Sequence, residues 1–120
     1  EKQLELYALV RRTHEECAAA IHAGADGHEI HMLSKKIIGD AGYGDYYGHG
    51  LGHGVGIDIH ELPNLGRTSN VLEEGVVVTV EPGVYLPGVG GVRLEDYGIV
   101  TKDGFKPFTK SSHDLVVIDC

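Results

Sequence analysis

The sequence is short of several things, and each shortage excludes something. No apolar run approaches eighteen residues; the longest, such as Val76–Val80, are far shorter, so a membrane-spanning helix is excluded. No basic stretch followed by an apolar one opens the chain, so no signal peptide is visible. Lys and Arg number 10 against 18 Asp and Glu, a formal net charge of −8. That deficit of positive charge argues against a nucleic-acid surface and a strongly anionic substrate; metal cations and small neutral or cationic ligands fit better. The two cysteines, Cys17 and Cys120, are neither a disulfide framework nor a zinc ribbon, and a reducing, cytoplasmic setting is expected. The one methionine is Met32, so Glu1 reads as the product of processing or as the start of a piece of something longer.

What is present divides the chain in two. Residues 1–23 contain no Gly or Pro, and Leu6, Val10, Cys17 and Ile21 recur near the 3.6-residue period of an amphipathic helix. Gly24 suits its end. Asp26 with Glu29 has the form of a capping box opening a second helix, with Ile30, Leu33, Ile37 and Ile38 on its apolar face and Gly39 and Gly42 as its stop. Beyond residue 42, Gly, Val and Ile dominate. All 18 glycines lie between Gly24 and Gly104. Val55–His60, Val76–Glu81, Gly91–Val100 and Leu115–Ile118 read as strands, with a hairpin turn at Asp103-Gly104. Two helices followed by a run of strands is an α+β order.

Chemistry concentrates in the strand region. Glycine occupies every even position from 48 to 56, with His49 and His53 between. A helix there is disfavoured, since each interior Gly costs about 1 kcal/mol relative to Ala. In an extended chain both imidazoles face one way, and the bare face lets another backbone come close. His60 follows in Gly56-Ile57-Asp58-Ile59-His60-Glu61. Neither phosphate-loop pattern is present. Metal or acid–base chemistry and ordinary surface or hydrogen-bonded core roles stay equally open for these three histidines. His14, His22, His28 and His31 fall on the predicted helices as solvated or interfacial residues without an assigned role, and His113 is uninformative. Glu81 ends the β-branched run Val76–Val80 and, held extended by Pro82, continues the strand. A carboxylate there is costly unless paired or metal-bound. In Gly91-Val92-Arg93-Leu94-Glu95-Asp96, Arg93 and Glu95 share one face, which by itself suits a salt bridge as well as a ligand. Imidazole with carboxylate is a donor set for Mn, Fe, Co or Zn.

Together, Gly-His53-Gly-Val-Gly, Thr79-Val80-Glu81-Pro82-Gly83 and Gly91-Val92-Arg93-Leu94-Glu95-Asp96 resemble the pita-bread metallopeptidases, above all the Xaa-Pro peptidases (prolidase and aminopeptidase P). The resemblance runs over nearly the whole chain, including Gly42-Tyr43-Gly44 and His60-Glu61-Leu62-Pro63. It implies an α+β pita-bread fold and a dinuclear site of two Asp, one His and two Glu. His53, Glu81 and Glu95 match the His and the two Glu, with Glu95 bridging both ions and Glu81 also moving a proton. It implies that His60 contacts substrate and stabilises the oxyanion, that His49 is a second substrate-pocket histidine of the Xaa-Pro branch, and that Arg93 sits behind the ligands. The two Asp ligands have no counterpart in residues 1–120; Asp40, Asp45 and Asp58 do not occupy their places. The resemblance therefore implies the C-terminal part of a catalytic domain, inactive by itself. In the intact protein, two divalent ions, Mn foremost with Co or Zn as alternatives, would activate a water against the carbonyl before proline. The expected partners are a small peptide with proline in second position and a second copy in a homodimer, without nucleic acid or membrane. A catalytically silent interaction module and another hydrolase of the same fold, such as a methionine aminopeptidase, are the competing readings.

Overall fold

The computed structural model describes residues 1–119; Cys120 lies outside them. Helix α1 spans Lys2–Ala20 and α2 spans Gly27–Asp40; a single 3-10 turn covers Gly44–Tyr46. Seven short strands follow: β1 Gly52–Gly54, β2 Glu61–Leu65, β3 Val77–Val80, β4 Gly83–Leu86, β5 Gly90–Arg93, β6 Asp96–Val100 and β7 Phe105–Pro107. Five form an antiparallel sheet in the order β2-β1-β3-β6-β7, and β4-β5 form a separate hairpin. Among the described residues no helix is long and apolar enough to cross a membrane.

The helices arise as their spacing predicts. Leu6, Val10, Cys17 and Ile21 are all buried. Asp26 caps α2, its side chain accepting from the His28 backbone N–H at 2.9 Å. The same carboxylate takes the Ser69 hydroxyl and the Asn70 N–H, which ties the start of α2 to the loop before β3. It is an N-cap of wider reach than the expected capping box, because its acceptors are shared with a distant loop rather than reciprocated by Glu29. One core, from Cys17, Ile21 and Ile30 to Leu51, Val78, Val80 and Val100, lies between the helices and the main sheet; a second, of Leu6, Val10, Ile38, Tyr47 and Val84, sits under the hairpin.

The strand assignments need revision in three places. Residues 56–60 form a loop rather than a strand, with Ile57 and Ile59 exposed, and the strand in that region is the Gly-rich Gly52–Gly54 instead. The predicted strand Gly91–Val100 divides at Leu94-Glu95: β5 pairs with β4 and β6 with β3, so the two halves belong to different sheets. Leu115–Ile118 forms no strand among the described residues. The turn at Asp103-Gly104 joins β6 to β7 as expected, with Val100 opposite Phe105.

Two of the helix histidines are core residues rather than solvated ones, and a third, His22, lies just past the end of α1. His31 is buried, and its Nδ1 accepts the Leu51 backbone N–H at 3.2 Å, which helps hold the chain leading into β1. An Nδ1 acting as acceptor requires the neutral ring. Burial, reinforced by the charge of Lys35, lowers its pKa from 6.5 to about 4. The unfolded chain therefore takes up a proton near pH 6.5 that the folded chain refuses until about pH 4. Stability is full above pH 6.5 and falls as the pH drops through that window, by roughly 1.4 kcal/mol for each unit. Urea midpoints measured between pH 7 and 4.5 should show this decline, and H31Q should flatten it. An unchanged slope in H31Q would reject this role for His31. Cys17 is buried too, and its thiol is pushed up to about 12, so it packs as an unreactive core side chain.

Candidate functional site

The site is assembled where β1 crosses the end of β3. The bare glycine face of β1 has a steric purpose here. A Cβ on Gly52 would collide with the Thr79 carbonyl oxygen and stand 2.7 Å from its carbon; one on Gly54 would stand 2.6 Å from the Glu61 carbonyl oxygen. Glycine at both positions lets β1 lie directly against its neighbours, and the intervening His53 projects to the opposite side. Glu81 lies just past the assigned end of β3 yet continues its ladder, its N–H donating to the Leu51 carbonyl at 2.7 Å. The expectation that proline would keep Glu81 on the strand line is met.

Thr79 links these two side chains. Its hydroxyl accepts the His53 backbone N–H at 3.0 Å and donates to Glu81 Oε1 at 3.0 Å. His53 Nδ1 donates to the Gly54 carbonyl oxygen at 3.0 Å. That bond commits Nδ1 as the donor and leaves Nε2 as the nitrogen available to a cation. Nε2 faces Glu81 Oε1 at 3.1 Å, with both side chains largely buried. Two acceptors at that separation need a cation between them, either a proton or a metal ion. The donor set, one imidazole nitrogen and one carboxylate oxygen, suits a divalent transition metal. His53 and Glu81 thus fit the ion the family pattern implies.

Arg93 reaches across to both acidic residues. Its Nη1 is 3.7 Å from Glu81 Oε2, and its Nε is 4.0 Å from Glu95 Oε2. Glu95 stands at the break between β5 and β6 and is half exposed. Its oxygens do not form a three-ligand cluster with His53 and Glu81; among the described residues, the one set of three whose ligand atoms all lie within 4.8 Å is His14, Asp96 and His113. Arg93 therefore holds the two carboxylates on one flank of the site without closing them together.

The remaining sequence candidates line the same cleft. His49, His53, His60, Glu81 and Arg93 surround a volume of about 230 Å³. The His60 ring packs edge-on against His53, centroids 4.1 Å apart, and opens onto an adjoining hollow of about 300 Å³ beside Glu61 and Asn64. His49 donates from Nδ1 to the Gly50 carbonyl at 2.7 Å, leaving Nε2 to accept the Tyr85 hydroxyl at 3.1 Å. The sequence reading missed Thr79 and Tyr85 as individual contributors. Thr79 could have been found from its period-two relation to Glu81; Tyr85 carried no local signal. It also underrated two histidines. His14 is buried rather than solvated, and His113 stands 3.1 Å from Asp96.

Comparison with known proteins gives these features a context. Metallopeptidase family M24 matches residues 1–102. The chain is similar to a Xaa-Pro dipeptidase of Lactobacillus delbrueckii subsp. lactis, with 45% identity over 119 residues, which is 98% of this chain and 32% of that protein. Among solved structures it superimposes on a Xaa-Pro dipeptidase from Bacillus anthracis with a TM-score of 0.95 at 45% identity, covering 98% of this chain and 34% of that one. An X-Pro aminopeptidase from Thermotoga maritima MSB8 gives 0.94 at 32% identity, again over 98% of this chain and 34% of the other. The chain thus spans about a third of the length of the relatives it matches. The fold expected from the sequence, α+β and of pita-bread type, is the fold of these neighbours. With the family pattern covering most of its length, this chain belongs to metallopeptidase family M24.

Proposed function

We propose that the protein of which these residues form part hydrolyses the peptide bond preceding proline in small peptides, as a divalent-metal-dependent Xaa-Pro peptidase. The observation that carries the reading is His53 Nε2 held 3.1 Å from Glu81 Oε1 inside the histidine-lined cleft. His53, Glu81 and Glu95 would hold two ions, Mn foremost, together with two Asp supplied from outside residues 1–120. When bound, such ions supply Lewis-acid polarisation of the scissile carbonyl and of the attacking water.

The chain's own residues do the rest. Glu81, oriented by the Thr79 hydroxyl, accepts a proton from the attacking water and returns it to the departing proline nitrogen. His60, exposed at the mouth of the cleft, donates to the oxygen that gains negative charge as the carbonyl is attacked. His49, fixed by Gly50 and Tyr85, borders the substrate. Glu61 and Asn64 on the second hollow flank His60 on the other side. A cytoplasmic homodimer is the assembly that accompanies this reading.

The test is hydrolysis of Xaa-Pro dipeptides and Xaa-Pro-Yaa tripeptides by the complete protein, before and after removal of divalent metal by chelation. Cleavage before proline that disappears with the metal supports the proposal. Cleavage of peptides without proline at equal rate overturns it. His60→Ala should keep its metal content while turnover falls by about 10²-fold or more, the usual weight of one oxyanion donor. Loss of metal together with turnover would place His60 among the ligands instead.

A further inference from the structure

On the far side of β6 from β7's turn, three residues remote in sequence converge. His14 comes from α1, Asp96 opens β6, and His113 belongs to the segment after β7. Their ligand atoms all lie within 4.8 Å of one another. Asp96 Oδ2 lies 3.3 Å from His14 Nε2 and 3.1 Å from His113 Nε2. Its other oxygen, Oδ1, accepts the Thr109 hydroxyl at 2.5 Å. The segment carrying His113 is held in place independently, because its carbonyl accepts from the Tyr7 hydroxyl at 2.6 Å and from Arg11 Nη1 at 3.2 Å.

We propose that His14, Asp96 and His113 form a binding site for a divalent transition-metal ion of the zinc class, which clips the segment after β7 onto α1 and the start of β6. Two observations point to an ion. The first is His14 itself. It is buried, and neither of its ring nitrogens has a hydrogen-bond partner, although Nε2 is aimed at Asp96. Buried imidazoles are rarely left so, because each orphaned polar atom costs about 1–3 kcal/mol. The second is spacing. A tetrahedral shell with bonds of about 2.0–2.1 Å puts its donors about 3.3 Å apart, and the two edges that meet at Asp96 Oδ2 are 3.3 and 3.1 Å. Asp96 is a largely buried carboxylate with no Lys or Arg paired to it among the described residues, so positive charge at this point offsets its desolvation. Two imidazoles and one carboxylate match zinc, cobalt or nickel rather than calcium or magnesium. A fourth position is left to water. The proposal does not depend on the peptidase reading, since none of the three residues lines the His53–Glu81 cleft.

The experiment separates this site from the cleft by removing the cleft's ligands. In the complete protein carrying E81Q and E95Q, stripped with chelator, reloaded with Co²⁺ and desalted, elemental analysis should find cobalt whose amount falls by one ion per chain when H113N is added. H113C should restore the ion and add a near-ultraviolet thiolate-to-cobalt charge-transfer band. His113 is partly exposed and its backbone contacts do not involve the ring, so both variants leave the fold intact, which circular dichroism checks. Cobalt content identical with and without H113N overturns the proposal and leaves the three residues as a metal-free cluster of two imidazoles around a carboxylate. So does an H113C protein without the charge-transfer band.

Discussion

Glu81→Gln in the complete protein is expected to lose turnover by on the order of 10³-fold or more, with most of its bound metal. The substitution keeps the size of the side chain. The amide oxygen can still accept the Thr79 hydroxyl, so the local fold is retained. What goes is the negative charge opposite His53 Nε2 and, with it, both the proposed ligand and the proposed proton carrier. Removing either half of this pair has a large effect because both are mostly buried, where water replaces a lost partner poorly. Glu95→Ala tests the other carboxylate, and loss of metal and activity together is expected there as well. Its distance from the His53–Glu81 pair and its partial exposure make it the more demanding case. Metal analysis beside initial rates decides both. Normal metal content in Glu95→Ala would remove it from the ligand set, and wild-type turnover in Glu81→Gln would dismiss the whole assignment.

The parts of this protein that were legible in the sequence are those whose cause is local. The spacing of Leu6, Val10 and Cys17 requires one apolar helix face, and that face is buried, as is Ile21 just past the helix end. Asp26 caps α2 through its own neighbour His28. The glycines around His53 announce a close backbone approach, and β3 is the backbone that approaches. Where sequence failed, the deciding contact lies elsewhere in the chain. Alternation of Ile57 and Ile59 with polar residues looks like a half-buried strand, but nothing in these residues packs on them, so the ladder stops and they stay exposed. The run Gly91–Val100 reads as one strand because its residues are uniformly suited to one. It divides because Val92 must pair with Val84 while Gly98 pairs with Val78, in two different sheets. That division sets Glu95 at the junction. In the cleft, His53, Glu81 and His60 were visible as residue types in a pattern, whereas Tyr85 was not, because its contact with His49 spans 36 positions. The grouping of His14, Asp96 and His113 is hidden for the same reason: helix periodicity marks His14 as one more position on α1 and carries no information on what its ring meets.

Gly52→Ala tests the same logic at the backbone and is expected to be among the most damaging single changes outside the cleft's own side chains. The added methyl would overlap the Thr79 carbonyl, which is backbone and cannot rotate away. Relief requires β1 and β3 to separate. That would strain the Glu81 N–H bond to Leu51, the His53 N–H bond to Thr79, and the pairing of Gly54 with Val78. A loss of about 3 kcal/mol or more is expected, at the upper end for point substitutions, because a small-to-large change against backbone combines overpacking with broken ladder bonds. Gly48→Ala is the control. It has the same chemistry in the same glycine-rich segment, but no atom lies within 4 Å of the added carbon. Thermal melts of the two variants in the complete protein should differ by many degrees, with Gly48→Ala near wild type. If Gly52→Ala melts with Gly48→Ala, then β1 does not lie as tightly on β3 as described, and the 3.1 Å approach of His53 to Glu81, which depends on that contact, loses its foundation. If Gly52→Ala folds at reduced stability, its metal affinity should fall further than its stability alone accounts for, because the displacement by which β1 must lift off β3 is taken directly from the geometry of the His53–Glu81 pair.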